Sequence, residues 1–334
     1  MNWLPKVPTL EELERTIPPI PAIPDDARRP FWSVIIPTYN CAHYLRETLS
    51  SVLAQDPGPD RMQIEVLDDC STKDDPEAAV RELAPGRVRF SRNVANQGVS
   101  RTFNECLRLS QGRWIHILHG DDRVKPGFYA RYEGLMERYP KAVLFYGRVE
   151  KIDEQSAVVG ESTIAGPPAG GLVENFVARL ATENLCFFPS VVASRAAYEA
   201  AGGFSTYFGH VADMDMWLRL GLVGDVVYSV DHVADYRVHA ASDTNQLIAS
   251  GGNTNEIFKL SSLNERRFAA RSLPPVDPAW RNNLAYVAEI FCSNLADRKH
   301  WKGARTQMQL AYSLRPSIRR ALKLAKVSAR SLFS

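Results

Sequence analysis

The sequence predicts an α/β fold: a mostly parallel central sheet flanked by helices, with a Rossmann-like nucleotide-binding half and an all-α appendage at the C-terminus. Three observations lead there. From Phe31 to about residue 118, short and nearly continuous apolar runs alternate with amphipathic helical stretches, the pattern of parallel strands covered on both faces. Acidic pairs close two of those runs: Asp68-Asp69 follows Ile64-Glu65-Val66-Leu67, and His119-Gly120-Asp121-Asp122 follows Trp114-Ile115-His116-Ile117-Leu118. Beyond Ser250 only helical periodicity remains.

Residues 1–30 are proline-rich and form an N-terminal arm, either extended and packed on the body or a loose tail, with a short helix over Leu10–Ile17. Ser33-Val34-Ile35-Ile36-Pro37 is a buried strand, and the helix after it presents Tyr44, Leu45, Leu49, Val52 and Leu53 on one face. Strands at 62–67, 87–91 and 113–118 then alternate with helices near 76–83 and 98–109. From about 126 to 240 the elements are mixed, with strands at 142–149 and 190–194 and a helix near 212–221. A Gly/Pro-rich loop at 166–171 has the composition of a lid or an acceptor-site wall. Helices near 255–270, 279–295, 301–313 and 316–329 follow. The expected organisation is an arm over 1–30, an α/β domain over 31–250 and a helical region over 251–334.

With 334 residues, 45% of them hydrophobic, the chain can bury a full core. Its net charge of +2 argues neither for nucleic acid nor against it, and no nucleic-acid partner is expected. Cys41, Cys70, Cys106, Cys186 and Cys292 are widely spaced, with no C-x-x-C pair, so neither a disulfide framework nor a zinc knuckle is indicated. A reducing cytosol is the simplest setting. No signal pattern opens the chain and no apolar run approaches the ~20 residues of a membrane helix. The expectation is a cytoplasmic protein, with peripheral contact at the inner face of the membrane as an alternative.

Two carboxylates side by side at the mouth of a buried strand repel each other, and a divalent cation sharing its shell with phosphate oxygens is the usual remedy. Ligands of open α/β sheets collect at the carboxyl ends of strands. The two acidic strand ends therefore suggest a metal-assisted nucleotide site.

Several motifs follow in one order: Ser33-Val34-Ile35-Ile36-Pro37-Thr38-Tyr39-Asn40, Val66-Leu67-Asp68-Asp69-Cys70-Ser71-Thr72, Asn96-Gln97-Gly98-Val99-Ser100-Arg101 with Asn104, Gly202-Gly203-Phe204, Asp213-Met214-Asp215-Met216-Trp217-Leu218-Arg219 and Tyr236-Arg237-Val238-His239. From about Trp32 to Thr244 the chain thereby resembles the family 2 glycosyltransferases, inverting enzymes of GT-A fold. The resemblance makes 31–250 the catalytic domain. It implies transfer of a sugar from a nucleoside diphosphate, with a UDP-sugar as default donor, to a hydroxyl on a glycan or glycolipid in surface polysaccharide or glycolipid biosynthesis. Pro37, Tyr39, Asn40, Asp69, Asn96, Gly98, Arg101 and Asp121 would line the nucleotide, with Asp69 on the base. Asp121, Asp122 and His239 would hold Mn²⁺ or Mg²⁺, Arg237 would support the phosphates, and Asp213 would be the general base.

Two departures stand out. His119 replaces the first acid of a metal motif that often reads Asp-x-Asp-Asp, and Ala212 replaces the first of two acids before the base. They keep alive a catalytically degenerate GT-A protein that binds a nucleotide or glycan as a scaffold. A sugar-nucleotide pyrophosphorylase is a further rival. Pro37-Thr38-Tyr39-Asn40-Cys41 counts against it, because such enzymes carry a Gly-rich basic loop there. Each acidic motif also has a plainer reading as a turn or a helix cap. In the tail, Ile318, Leu322 and Ala325 share a helix face beside Arg319, Arg320, Lys323, Lys326 and Arg330. Packing of that stripe on the preceding helices is the first reading, and contact with an anionic membrane the second.

Overall fold

The computed structural model describes residues 3–24, 28–239 and 243–332, the side chains of 243–245 excepted. In chain order the elements are α1 (Leu10–Glu14), β1 (Trp32–Thr38), α2 (Ala42–Leu53), β2 (Met62–Asp68), α3 (Pro76–Leu83), β3 (Arg89–Arg92), α4 (Val99–Leu109), β4 (Trp114–Ile117), β5 (Arg123–Val124), α5 (Phe128–Arg138), β6 (Ala142–Ile152), β7 (Val158–Glu161) and β8 (Gly171–Leu172). Then come α6 (Phe176–Leu180), β9 (Val192–Ser194), α7 (Arg195–Ala201), α8 (Ala212–Gly221), β10 (Asp225–Arg237), α9 (Asp243–Ser250), α10 (Asn253–Ala270), α11 (Trp280–Asp297), α12 (Trp301–Leu314) and α13 (Ile318–Ser331). The chain divides into two compact units. Thr16–Leu180 and Asn184–Val238 form an α/β unit, while the residues before Thr16, Ala181–Glu183 and those from His239 onward form a helical one.

One ten-stranded sheet organises the α/β unit, in the order β3-β2-β1-β4-β9-β6-β10-β5, with β7 beside β6 and β8 beside β10. Strands β3, β2, β1 and β4 are parallel, as their alternation with helices requires. Short β9 runs antiparallel to both β4 and β6, and the β6–β10 pair is parallel again, so the sheet is mixed beyond β4. Every residue of β1 is buried. Its even-numbered Trp32, Val34 and Ile36 share a core with Leu45, Leu49 and Val52 of α2 and with Ile64 and Val66 of β2. Each such side chain contributes roughly 1.5–3 kcal/mol by leaving water.

The longest strand, β10, has no counterpart in the sequence reading. Its pairing with β6 shifts register between Ser229 and His232 and again between His232 and Ala234. Those bulges break the two-residue alternation that marks a strand. Residues Thr16–Ile23 of the proline-rich arm pack on the α/β unit: the Thr16 and Ser205 hydroxyls are 2.6 Å apart, and Pro18 O accepts from Gly203 N–H at 2.8 Å.

In the helical unit, α12 packs against both α11 and α13. Trp3 N–H donates to Ser313 Oγ (3.1 Å) and the Trp3 ring meets Tyr312 edge-on. Helix α13 differs from the packed-stripe reading. It buries Leu324 and Val327, whereas Ile318 and Leu322 stay exposed. The described residues contain no helix long and apolar enough to cross a membrane, and all five cysteines are free thiols.

His116 on β4 is wholly buried, with Nε2 3.0 Å from Pro189 O and Nδ1 3.2 Å from the Tyr129 hydroxyl. The carbonyl can only accept, so Nε2 carries the proton and Nδ1 accepts from Tyr129. Burial pushes the imidazole down to about 3. The unfolded chain takes up this proton near the usual ~6.5, so the stabilising contribution is complete above that pH and is lost as pH falls toward 3, at about 1.4 kcal/mol per pH unit. His116→Gln keeps a donor for Pro189 O and does not titrate. Urea denaturation between pH 6.5 and 4.5 should show stability falling more steeply in the native sequence than in this variant, by about that amount. Parallel slopes would mean that His116 already takes a proton in the folded state.

Candidate active site

In the parallel register Thr38 stands opposite Asp68 and Ile35 opposite Ile117. The segments leaving β1, β2 and β4 therefore emerge at one edge of the sheet, where an α/β fold gathers its ligands. Asp68 fixes the first of them. It is fully buried and accepts from Ser71 N–H (3.0 Å) and from Ser71 Oγ (2.5 Å), with Arg92 Nε 3.3 Å away. Ser71 Oγ in turn accepts from Asn40 N–H (2.8 Å), and Asn40 Oδ1 accepts from the N–H groups of Thr72 and Lys73. Asn40 and Cys70 both hold positive φ at the two bends.

Asp69, the expected base contact, is buried and accepts from Asn93 Nδ2 (2.7 Å), Gln97 N–H (3.0 Å) and Gly98 N–H (3.1 Å). A carboxylate has about four acceptor sites, so three donors leave one for a ligand. The same bonds close the loop before α4, whose first residues follow Gly98 at φ 78°, a backbone that suits glycine. Asn96 Nδ2 reaches Asp69 O at 3.3 Å, and Pro37 O accepts from Gly120 N–H at 3.0 Å. Hydrogen bonds thus join Pro37, Asp69, Asn96 and Gly98 to the neighbouring motifs. Tyr39 and Arg101 are exposed on the segments beside them.

At the end of β4, His119, Asp121 and Asp122 each present a ligand atom, all within 4.8 Å of one another. Gly120 lets this turn lie against β1, because a Cβ there would come within 3.0–3.2 Å of Thr38 and Cys41. Asp122 is 1% exposed, and its Oδ1 accepts Arg237 N–H at 2.8 Å. Its Oδ2 is buried with no hydrogen-bond partner among the described residues, and His119 Nδ1 lies 3.8 Å away. Burial first, and then the charge of Asp121, push the Asp122 carboxyl well above its ordinary range; the Arg237 N–H and guanidinium oppose this without prevailing. An unpartnered carboxylate oxygen facing a second carboxylate and an imidazole suits a divalent cation, and the residues fit Mn²⁺ or Mg²⁺. His239, the expected third ligand, follows Arg237 by two residues and belongs to the helical unit.

Arg237, expected to support the phosphates, has a side chain that is 0% exposed, with its donors on protein groups. Nε donates to Asp121 O (2.8 Å), Nη1 to Asp153 O (2.8 Å) and Ser156 Oγ (2.9 Å), and Nη2 to Glu47 Oε2 (3.0 Å). The guanidinium also lies 4.3 Å from the Tyr44 ring centroid. Burial alone would raise the Glu47 carboxyl, but bonds from Ser156 and Arg237, with the charges of Arg237 and Arg123, hold it below the usual range. Sequence reasoning missed Glu47 and Ser156, which lie 190 and 81 positions from Arg237 along the chain.

Asp213 lies half-buried in the first turn of α8, where its Oδ1 accepts Met214 N–H at 2.7 Å. Trp217, four residues on and on the same helix face, meets Phe188 edge-on at 5.4 Å, and Phe188 lies 4.3 Å from the His119 ring. Through Phe188, Trp217 of α8 is thereby linked to the His119 ring. Asp215 differs. It is fully buried and paired with Arg219 at 2.9 Å, whose guanidinium donates to the carbonyls of Ala201 and Gly203. Ala212 is buried too, at a point where an acid would lose its hydration.

Arg237→Met would take the guanidinium donor from the Asp121 and Asp153 carbonyls and the Ser156 hydroxyl, and one of two cationic partners from Glu47, which Arg123 still pairs; it should lower the unfolding free energy by about 2–3 kcal/mol. Arg237→Lys should recover less than half of that, because one ammonium cannot reach three directions at once. Urea denaturation measures both, and a loss below about 1 kcal/mol for the Met variant would reduce the network to ordinary packing.

The family described as glycosyl transferase family 2 matches residues 33–189. The uncharacterized protein MT1568 of Mycobacterium tuberculosis is 32% identical over 303 residues, which is 82% of this chain and 89% of that protein. Two solved structures share the fold. S. aureus TarS 1–349 in complex with UDP-GlcNAc has 16% identity and a TM-score of 0.53, covering 90% of this chain and 91% of that one. The mannosyltransferase PcManGT from Pyrobaculum calidifontis, in complex with GDP-Man and Mn²⁺, has 19% identity and a TM-score of 0.53, covering 96% and 86%. Taken with the sheet order and the acidic strand ends, these matches show that the chain belongs to the family 2 glycosyltransferases, with their GT-A fold, and is a glycosyltransferase.

Proposed function

We propose that the protein is a metal-dependent, inverting enzyme that moves a sugar from a nucleoside diphosphate to a hydroxyl of a glycan or glycolipid. The observation that carries this reading is the His119, Asp121 and Asp122 cluster at the end of β4, with the buried Asp122 Oδ2 lacking a donor. Asp69 offers its remaining acceptor site to an imide N–H of the base, while Pro37, Tyr39, Asn40, Asn96, Gly98 and Arg101 border the nucleotide. Asp121 would serve both the ribose and the metal, and His119, Asp121 and Asp122 would hold the ion. A bound divalent cation would offset the charge that grows on the departing diphosphate.

Asp213 takes the proton from the acceptor hydroxyl as that oxygen bonds to the anomeric carbon and the bond to the diphosphate breaks on the opposite side. A single displacement inverts the carbon and needs no enzyme nucleophile. The donor is a UDP-sugar by default. The TarS complex with UDP-GlcNAc supports that choice, and the GDP-Man and Mn²⁺ complex of PcManGT supports the metal and keeps GDP-sugars in the test. The five free thiols fit a cytoplasmic setting, where nucleotide sugars are made, and surface polysaccharide or glycolipid assembly is the proposed context.

Calorimetric titration with UDP, GDP and dTDP, each with Mn²⁺ and with EDTA, should show one nucleotide bound only when metal is present. Asp122→Ala should abolish that binding. Loss of the metal requirement, or unchanged binding in the variant, would remove the metal role. Asp213→Asn should leave the nucleotide Kd within about threefold while slowing release of nucleoside diphosphate from the donor by about 10²-fold or more. Near-normal turnover in that variant would place the base elsewhere.

A further inference from the structure

We infer that the exposed face formed by α11 and α13 is a docking surface for an anionic membrane. Ile318, Leu322, Ala325 and Ala329 fall at i, i+4, i+7 and i+11 on α13, one stripe of the helix, and all four are exposed. Ile318 is 83% and Leu322 68% exposed, although α13 buries Leu324 and Val327 on its other side. Such a stripe is not the inner face of a packed helix. Across the groove beside α13, Tyr286 and Ile290 of α11, one turn apart, are 63% and 42% exposed.

Between the two helices runs a groove of about 350 Å³, lined by Tyr286 and Ile290 on one side and by Arg319, Arg320 and Lys323 on the other. Its one acid, Glu289, lies 3.1 Å from Arg320, 3.8 Å from Lys323 and 3.9 Å from Arg319, so the groove keeps a cationic excess. Lys326 and Arg330 extend the basic flank along α13, and the sequence holds no acid after Asp297. An apolar stripe beside a one-sided row of cations matches the boundary of an anionic bilayer, with side chains among the acyl chains and phosphates in the groove. A second protein copy would bring the same positive charge to the face and be repelled. Because the described helices are too short or too polar to span a membrane, the face would lie on the surface.

The test is flotation of the full chain with vesicles of phosphatidylcholine alone and of phosphatidylcholine mixed with phosphatidylglycerol. Binding is expected only to the mixed vesicles, and should weaken as salt is raised. Arg319→Glu with Lys326→Glu should reduce it at least about tenfold, and Leu322→Glu should do so without changing the surface basic residues. All three positions are exposed, and unchanged circular dichroism would confirm folding. Mn²⁺-dependent nucleotide binding, measured in parallel, should be unaltered, so failure of the docking surface and failure of the proposed chemistry are told apart. No binding to mixed vesicles overturns the inference, as does equal binding by the variants. A dimer in light scattering that Leu322→Glu disrupts, with no vesicle binding, would instead assign the face to a second copy.

Discussion

The guanidinium of Arg237 lies where no water reaches it, and the metal motif takes its shape from what that cation holds. Removing such a charge from water costs several kcal/mol unless its donors are all engaged in good geometry. Here they meet the Asp121 and Asp153 carbonyls, the Ser156 hydroxyl and the Glu47 carboxylate, while the backbone N–H of the same residue holds Asp122 Oδ1. The last residue of β10 is thus tied to the turn after β4, to α2 and to the end of β6. Moving any one of those elements would strand a buried polar group.

That frame also explains how Asp122 is kept in an unfavourable position. A carboxylate 1% exposed beside a second carboxylate would ordinarily be avoided, and its raised carboxyl reflects burial first and Asp121 second. Arg237 supplies one hydrogen bond and a nearby charge, which is enough to fix Oδ1 but leaves Oδ2 without a donor. A loose site would relieve the tension by rotating Asp122 toward water. The clamp prevents this and keeps the ligand atoms within 4.8 Å of each other. In the proposed metal site that rigidity would turn an electrostatic penalty into affinity for a cation, which is what preorganisation of such a site means.

How much of this could be read from the sequence follows from the range of each interaction. The parallel half of the sheet was legible because β1, β2 and β4 are continuous apolar runs and α2, α3 and α4 carry helical periodicity between them. The motifs also singled out Asp69 and Asp213, whose roles belong to the proposal, and the Asp121–Asp122 pair, which the structure gathers with His119 within 4.8 Å. Strand β10 was not legible, since three register shifts cancel its alternation. Nor was the inward turn of Arg237, whose partners are scattered from Glu47 to Ser156. On α13 the period identified the stripe of Ile318 and Leu322 correctly but not the side on which it lies. A period shows that a helix has an apolar face; only tertiary packing shows which face is covered, and here Leu324 and Val327 are the covered ones.

The two departures from the family pattern make sense once their surroundings are known. The His119 ring stacks on Phe103 at 5.3 Å and 12°, and packs against Phe188 at 4.3 Å. An acid at 119 would lose that stacking and would add a third negative charge beside a carboxylate that is already hard to ionise. An imidazole fills the aromatic wall and still presents a nitrogen toward Asp122. The same wall continues through Phe188 and Phe204 to Trp217, so the ring that replaces the first acid also ties the metal motif to the helix bearing Asp213. Ala212 follows a similar logic at that helix, because its site is buried and could not hydrate a carboxylate. Neither substitution removes a group the proposed chemistry needs, and the first supplies packing that an aspartate could not. Both therefore weigh less for a degenerate scaffold than the sequence alone suggests.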